Sequence, residues 1–364
     1  MRLLLLLVVL IPASFAHSQT HSIQGRVYDQ STKEPLPYVN VYLNNAKTGT
    51  VTNQHGQFKI HLREQNLDDT LTISYIGYKL TKIKIASISK DFECYLKEDL
   101  KILNELVFTG LSASQVIQKA LANLTKNYPQ DDYKSSGFYR LVSKKGNQYV
   151  SLSEAVFDIF HQSGKVDQFR LNKMRAIKDQ QALKGIEVGL KPQAILTYDL
   201  TQSIKDWNIL NDVGLKNHEF FLQGVTNYNN SEVYVISFDQ KPEIKKSFYK
   251  GQIFIDKETF AFVYFDFGLS ERGIKYHKYG NLGLRALMKL ADIFLDISSS
   301  RYQIAYQKVG DKYYLNRVLA ENSFSVHSSR ENYDFILDSK VDYLVTNVQL
   351  ENVSEFDKQE VLNT

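Results

Sequence analysis

The sequence predicts a mainly β protein: a small β-sandwich followed by an antiparallel curved sheet, half-barrel-like, with a few helices. Three observations predict it. Aromatic residues are abundant, with 23 Tyr and 21 Phe against 6 Pro, and such side chains suit half-buried pleated surfaces. Apolar residues alternate with period two over short stretches. Turn signals separate these stretches at hairpin spacing. The 364 residues suffice for two domains at roughly 100–200 residues each. A hydrophobic share of 43% and a charged share of 23% exclude wholesale disorder and collagen-like repeats. The net charge of +4 is too mild for an electrostatic nucleic-acid footprint. A single cysteine, Cys94, excludes an intramolecular disulfide and a Cys-pair zinc site.

Residues 1–18 read as a signal peptide. Arg2 precedes the apolar run 3–11, then come Pro12 and the small-residue stretch Ala13, Ser14, Phe15, Ala16. That order is a positive n-region, an h-region and a cleavage site. The run is shorter than the about 20 apolar residues a spanning helix needs. Cleavage after Ala16 or after Ser18 fits, and a retained N-terminal anchor is the alternative. No Cys follows the run, so a lipid-anchored mature terminus is not expected. The mature chain, with a net charge of about +3, is expected to be exported, periplasmic or associated with the outer membrane. It carries no further stretch long and apolar enough for a transmembrane helix.

Residues 19–97 read as the sandwich. Ile23, Gly25 and Val27 open it, and Pro35 and Pro37 break the pattern. Val39, Val41 and Leu43 share a face, as do Phe58, Ile60 and Leu62. Leu71, Ile73 and Tyr75 lead into Gly77. The expected core is Val27, Val39, Val41, Leu43, Phe58, Ile60, Leu71, Ile73 and Ile76. Gly25, Gly49, Gly56 and Gly77 mark positive φ or close backbone approach.

These blocks also carry a resemblance. Gly25-Arg26-Val27-Tyr28-Asp29, Pro35-Leu36-Pro37-Tyr38-Val39-Asn40-Val41, Thr48-Gly49-Thr50, Thr52-Asn53-Gln54-His55-Gly56-Gln57-Phe58 and Ser74-Tyr75-Ile76-Gly77-Tyr78 resemble the carboxypeptidase-regulatory-like domain family. The resemblance covers about a fifth of the chain. It implies a prealbumin-like seven-stranded sandwich of the kind found in Bacteroidota-type envelope proteins. It implies no catalytic residues, because the family name refers to an accessory domain. In the linker 98–110, Leu103-Asn104-Glu105-Leu106-Val107-Phe108-Thr109-Gly110 resembles the segment joining such a domain to the plug of TonB-dependent receptors. No plug and no large barrel follow, so transport is not carried over.

Residues 111–350 read as an α+β domain. Ser112 and Gln115 form a capping box for a helix over 112–127, with Val116, Ile117, Ala120, Leu121 and Leu124 on one face. Hairpins follow around 144–148, 227–231, 256–259 and 309–311, with further strands at 323–327 and 340–348. Two helices are expected to interrupt them. The first is 201–210, uniting Ile204, Trp207 and Leu210. The second is 284–295, whose stripe of Leu284, Leu287, Met288, Ala291, Phe294 and Leu295 reads as core. A membrane-surface helix is the alternative for this second one. Residues 351–364 form a polar tail.

The strand 260–267 is apolar on both faces, so both should be covered. Phe260, Phe262 and Tyr264 would line one face and Ala261, Val263, Phe265 and Phe267 the other. Phe260, Phe262 and Tyr264, or the opposite set, are the candidate ligand-binding residues. The segment 251–259 is similar to strand-turn-strand elements of periplasmic lipoprotein-carrier half-barrels, an analogy about fold.

No catalytic set, metal site or cofactor is expected. His61-Leu62-Arg63-Glu64 matches a zinc-ligand spacing, but residues three apart in a strand point to opposite faces. His-Glu-x-x-His, Gly-x-Ser-x-Gly and phosphate-cradling glycine motifs do not occur. His161, His218, His277 and His327 read as scattered surface residues. Asp68-Asp69 and Asp131-Asp132 read as loop acids, and Cys94 as an inert strand residue. Lys144-Lys145, Lys245-Lys246 and the cluster 272–278 read as turn or edge charges. The last, interleaved with Ile274 and Tyr276, also suits an anionic surface. The expectation is a non-enzymatic envelope protein: a sandwich for docking or spacing, and a β-rich module that binds or assembles, with an envelope protein, an apolar ligand or a glycan as partner. A small outer-membrane β-barrel component or a peptidase accessory protein is the alternative.

Overall fold

A computed structural model describes residues 21–44, 49–62, 66–89, 92–99, 101–102, 110–183 and 192–362. The expected signal peptide, Glu64 of the His-x-x-Glu pair and most of the receptor-like linker lie outside these residues. The fold class read from the sequence is borne out. The chain divides into two compact units, Met1–Leu100 with the turn Asn227–Asn230, and the remainder.

The first unit holds β1 (His21–Asp29), β2 (Asn40–Leu43), β3 (Gly49–Val51), β4 (Gln57–Leu62), β5 (Thr70–Ser74), β6 (Thr81–Lys84) and β7 (Phe92–Leu96). They form a three-stranded sheet, β4-β1-β7, and a four-stranded sheet, β3-β2-β5-β6. One apolar cluster joins the sheets: Val27, Phe58, Ile60 and Leu96 from the first, and Val41, Leu43, Leu71 and Ile73 from the second. Ile76 departs from its expected place in this core. It sits half-buried in the turn after β5, where Tyr78 N–H donates to the Tyr75 carbonyl. Gly56 has φ +69°, and a Cβ there would lie 2.5 Å from the Val27 carbonyl oxygen. Burial pushes the Cys94 thiol up to about 11, which disfavours the reactive thiolate.

The second unit is built on an open eleven-stranded sheet. Its elements are β8 (Lys101–Ile102), α1 (Ala113–Ala122), α2 (Leu124–Asn127), β9 (Tyr133–Lys145), β10 (Gln148–His161), β11 (Gln168–Lys178), α3 (Gln180–Leu183), α4 (Asp212–Asn217), β12 (His218–Tyr228), β13 (Ser231–Gln240), β14 (Tyr249–Asp256), β15 (Phe262–Leu269), α5 (Leu282–Leu290), β16 (Phe294–Val309), β17 (Lys312–Ser328) and β18 (Tyr333–Gln349). The strand order is β11-β10-β9-β18-β17-β16-β15-β14-β13-β12-β8. Strands β12 to β18 are therefore the expected meander, and β18 returns to pair with β9. Among the described residues β11 and β8 stay at opposite edges, so the sheet does not close as the alternative barrel reading required.

The capping box at Ser112 and Gln115 is present, but the helix breaks at Asn123 into α1 and α2. The helix expected over 201–210 is a succession of turns. Asp199 accepts from Thr201 N–H and Oγ1, so its side chain competes locally with helical bonding. The helix α5 ends at Leu290 because Asp292 adopts φ 54°, and Phe294 and Leu295 already belong to β16. None of its residues is buried, so the leucine stripe expected to form core does not. The tail 351–364 holds an anchor: Phe356 is buried and its ring meets Phe160 at 6.3 Å.

Candidate functional site: the two halves of the sheet's inner face

The faces of the large sheet differ in chemistry. The outer face carries ion pairs across neighbouring strands. Glu154 joins Arg140 and Arg175, Arg170 meets Asp158, Arg301 meets Asp266, Arg317 meets Asp342 and Lys340 meets Glu321. The inner face is aromatic and aliphatic. The Phe157 and Tyr343 rings stack at 5.4 Å, and Phe265 meets Tyr306 at 6.3 Å.

One half of the inner face is filled by the chain itself. Tyr128, just past α2, donates its hydroxyl to the Phe262 carbonyl at 2.7 Å and sets its ring against Tyr306. The segment 192–210 adds buried Ile195, Leu200, Ile209 and Leu210. Trp207 lies against Phe267, Tyr302, Tyr249 and Tyr198. Asp199 is anchored at the centre, accepting from Tyr306 Oη at 2.8 Å. Burial holds its carboxyl above the usual aspartate range. An acid with a raised native pKa contributes stability that is complete below its unfolded value and lost as pH rises through the native value. Native stability should therefore decline as pH climbs from about 4, and Asp199→Asn should remove that decline, leaving the variant more stable than wild type at neutral pH. Urea unfolding followed by the fluorescence of Trp207, the only tryptophan, measures this. Parallel pH profiles for both proteins would contradict it.

The candidate binding residues Phe260, Phe262 and Tyr264 do not share a face. The register pairs Phe254 with Tyr264 and Ile255 with Phe262, so Val263 is an extra residue in a bulge. A bulge inverts the alternation beyond it. Phe262 therefore stacks on Phe265 at 5.4 Å, whereas Tyr264 meets Phe254 on the opposite face. Phe260 lies in the preceding turn with φ 57°, its ring facing Tyr234 and Lys119. Both faces of β15 are covered, as the sequence implied: Phe262, Val263, Tyr264, Phe265 and Phe267 are all buried.

The other half of the inner face is open. It lies where β16 begins, β17 ends and β18 begins. Register places Leu295 opposite Val326, Ile297 opposite Phe324, and Phe324 opposite Leu337. Val150, Val326 and Leu337 are buried, and Leu295, Phe324 and Phe335 pack against them while keeping part of their surface exposed. Tyr279 sets its ring edge-on to Phe324 at 5.3 Å. Lys145 places its ammonium 4.4 Å from the Phe335 ring centre. The neighbouring Met174 on β11 is 65% exposed. This half was not singled out from sequence, because its strands mix apolar residues with serines. The signal was the spacing of Leu295 and Ile297, matched by Phe324 and Val326 across the hairpin.

Two histidines are not surface residues. His218 is buried, with its ring edge-on to Phe238 and Phe248. Burial holds its pKa below the usual histidine value. His161 stacks on Tyr133 at 4.1 Å. Its Nε2 lies 2.9 Å from Ser135 Oγ and its Nδ1 3.0 Å from Asp167. That is the connectivity of a serine-histidine-aspartate relay. Acyl transfer also needs N–H donors for an oxyanion. Ser135 is buried on an interior strand paired on both sides, where the ladder takes up the backbone donors. The nearest loop donors, Gln162 N–H and Ser163 N–H, bond to Asp167 and Asp132. The trio ties the ends of β9 and β10 to the loop before β11. Ser135 should therefore resist a fluorophosphonate probe in the native protein. Covalent labelling at Ser135, read by peptide mass spectrometry, would contradict this. Among the described residues no group of three or more His, Cys, Asp or Glu side chains is arranged to hold a metal.

Residues 23–108 match the CarboxypepD_reg-like domain family, which bears out the resemblance read for the N-terminal region. Over 108 residues the chain is 31% identical to the TonB-dependent receptor SusC of Bacteroides thetaiotaomicron, a match spanning 30% of this chain and 10% of the receptor. Over 76 residues it is 38% identical to the TonB-dependent receptor P39 of Formosa agariphila, spanning 21% and 7%. The chain thus covers a tenth or less of the length of these relatives. Among solved structures, a LolA superfamily protein from Nitrosomonas europaea matches 67% of this chain and 96% of its own, at 10% identity and a TM-score of 0.26. A DUF1329 family protein from Desulfovibrio piger matches 66% and 95%, at 12% identity and a TM-score of 0.25. Scores at this level leave the fold described by its own strand order.

Proposed function

We propose that the chain is a non-enzymatic, exported binding protein of the cell envelope. Its N-terminal sandwich docks or spaces the molecule, and its curved sheet holds an apolar ligand on the open half of the inner face. The observation that carries this reading is the contrast within that face. Where Tyr128 and Trp207 lie, the protein supplies its own filling. Around Leu295, Ile297, Phe324 and Phe335 the side chains stay half-exposed. Covering apolar surface is worth roughly 25 cal/mol per Å², so an acyl chain laid along these residues gains affinity without any new reactive group. The apolar run after Arg2 and the likeness of the N-terminal region to part of two TonB-dependent receptors support the envelope location.

Organic extraction of the purified protein, followed by lipid mass spectrometry, tests the reading. The expected result is a co-purifying acyl lipid in near-stoichiometric amount, lost in Ile297→Asp. Protein that emerges lipid-free and takes up no acyl chain would contradict it.

A further inference from the structure

The helix α5 presents its apolar side to solvent. Leu282, Leu284, Leu287 and Leu290 are 79%, 41%, 65% and 74% exposed. Leu284, Leu287 and Leu290 recur every third residue and so lie along one face, while Arg285 and Met288 take the half-buried side. Phe294 just beyond the helix, and Tyr276 and Tyr279 just before it, are also exposed. Soluble proteins seldom leave large apolar residues this concentrated unless something covers them.

The charge around the helix names what covers it. From Arg272 to Ala291 the chain holds Arg272, Lys275, Lys278, Arg285 and Lys289 and not one carboxylate. The acids at the two ends are engaged: Glu271 accepts from Lys250, and Asp292 accepts from Arg330 N–H and Ser328 Oγ. A leucine face flanked by lysine and arginine is the composition of a helix lying in a bilayer interface, where basic residues meet anionic headgroups. We infer that α5, with its flanking segment 272–281, docks the protein on an anionic lipid bilayer. Leu284, Leu287 and Leu290 enter the acyl boundary, while Lys275, Lys278 and Lys289 meet the headgroups. A protein partner would need acidic residues set around an apolar groove to match the same pattern. A membrane supplies both without a second fold. The inference stands apart from ligand binding on the inner face, because every residue it uses lies outside that surface.

Flotation of the full chain with lipid vesicles tests it. Vesicles of phosphatidylcholine containing about 30% phosphatidylglycerol should capture the protein at least about tenfold better than phosphatidylcholine alone. Capture should weaken at about 0.5 M salt, where screening is short-ranged. The double variant Leu287→Asp with Leu290→Asp should lose capture about tenfold or more. Both residues are exposed, so its Trp207-monitored unfolding should match wild type. Ile297→Asp should float normally, which separates this test from failure of the ligand reading. Absence of capture by the anionic vesicles, equal capture by both compositions, or capture unchanged in the double variant would overturn the inference. So would a dimer in light scattering that the double variant abolishes while vesicles capture neither protein.

Discussion

Phe265→Ala should cost about 3–5 kcal/mol of unfolding free energy. Phe265 is 1% exposed, and its ring lies between Phe262 and Tyr306. It pairs across the ladder with Ile253 on one side and Ile304 on the other. Truncation removes most of the ring's apolar burial, and the rigid neighbours leave a cavity that cannot collapse. The tyrosine beside it is held in place, because Tyr306 Oη donates to Asp199 and accepts from Thr201 N–H. The matching control is Ile336→Ala on the outer face, where a 44% exposed side chain should change stability by no more than about 0.5 kcal/mol. Equal losses for the two variants would show that the inner face is not the core of this unit.

Gly268→Ala should be worse than its single added methyl suggests. A Cβ at Gly268 would lie 2.0 Å from the Ser300 carbonyl oxygen. That oxygen belongs to β16, which is tied to β15 by pairs from Tyr264–Ala305 to Phe267–Tyr302. Ser300 Oγ also accepts from Leu269 N–H. The backbone cannot retreat without parting the two strands, so the cost should reach the top of the overpacking range, about 3 kcal/mol, or the variant should fail to fold. Gly310→Ala is the comparison. Its φ is +61° but nothing lies within 4 Å of the added atom, so only the backbone penalty of about 1–2 kcal/mol applies. If Gly268→Ala proved the milder of the two, the close approach of β15 and β16 would be wrong.

The sandwich was legible because its strands alternate cleanly. Phe58, Ile60 and Leu62 each bury while Lys59 and His61 stay exposed. The hairpins of the large sheet were legible from their turns. Three features were not, each for a physical reason. The strand β11 carries Asn172, Lys173 and Arg175, whose charges pair with outer-face carboxylates such as Glu154, so it reads as loop. The bulge at Val263 reverses the parity of β15, and alternation counted from sequence assigns Phe262 to the wrong face. The amphipathic pattern of α5 is real, but periodicity reports only that a helix has an apolar side. It does not report whether protein or something else meets that side. The Ser135, His161 and Asp167 trio was invisible because pairing of β9 with β10, not sequence spacing, brings its members together.

The central claim is that the open half of the inner face holds an apolar molecule. Titrating a fluorescent polyene fatty acid into delipidated wild type, Ile297→Asp and Ile336→Asp tests it most directly. The two substitutions introduce the same charge on opposite faces of neighbouring strands. The account predicts one saturable site in wild type and in Ile336→Asp, and an affinity lower by about tenfold, or about 1.4 kcal/mol, in Ile297→Asp. Binding that never saturates, or that falls equally in both variants, would contradict it.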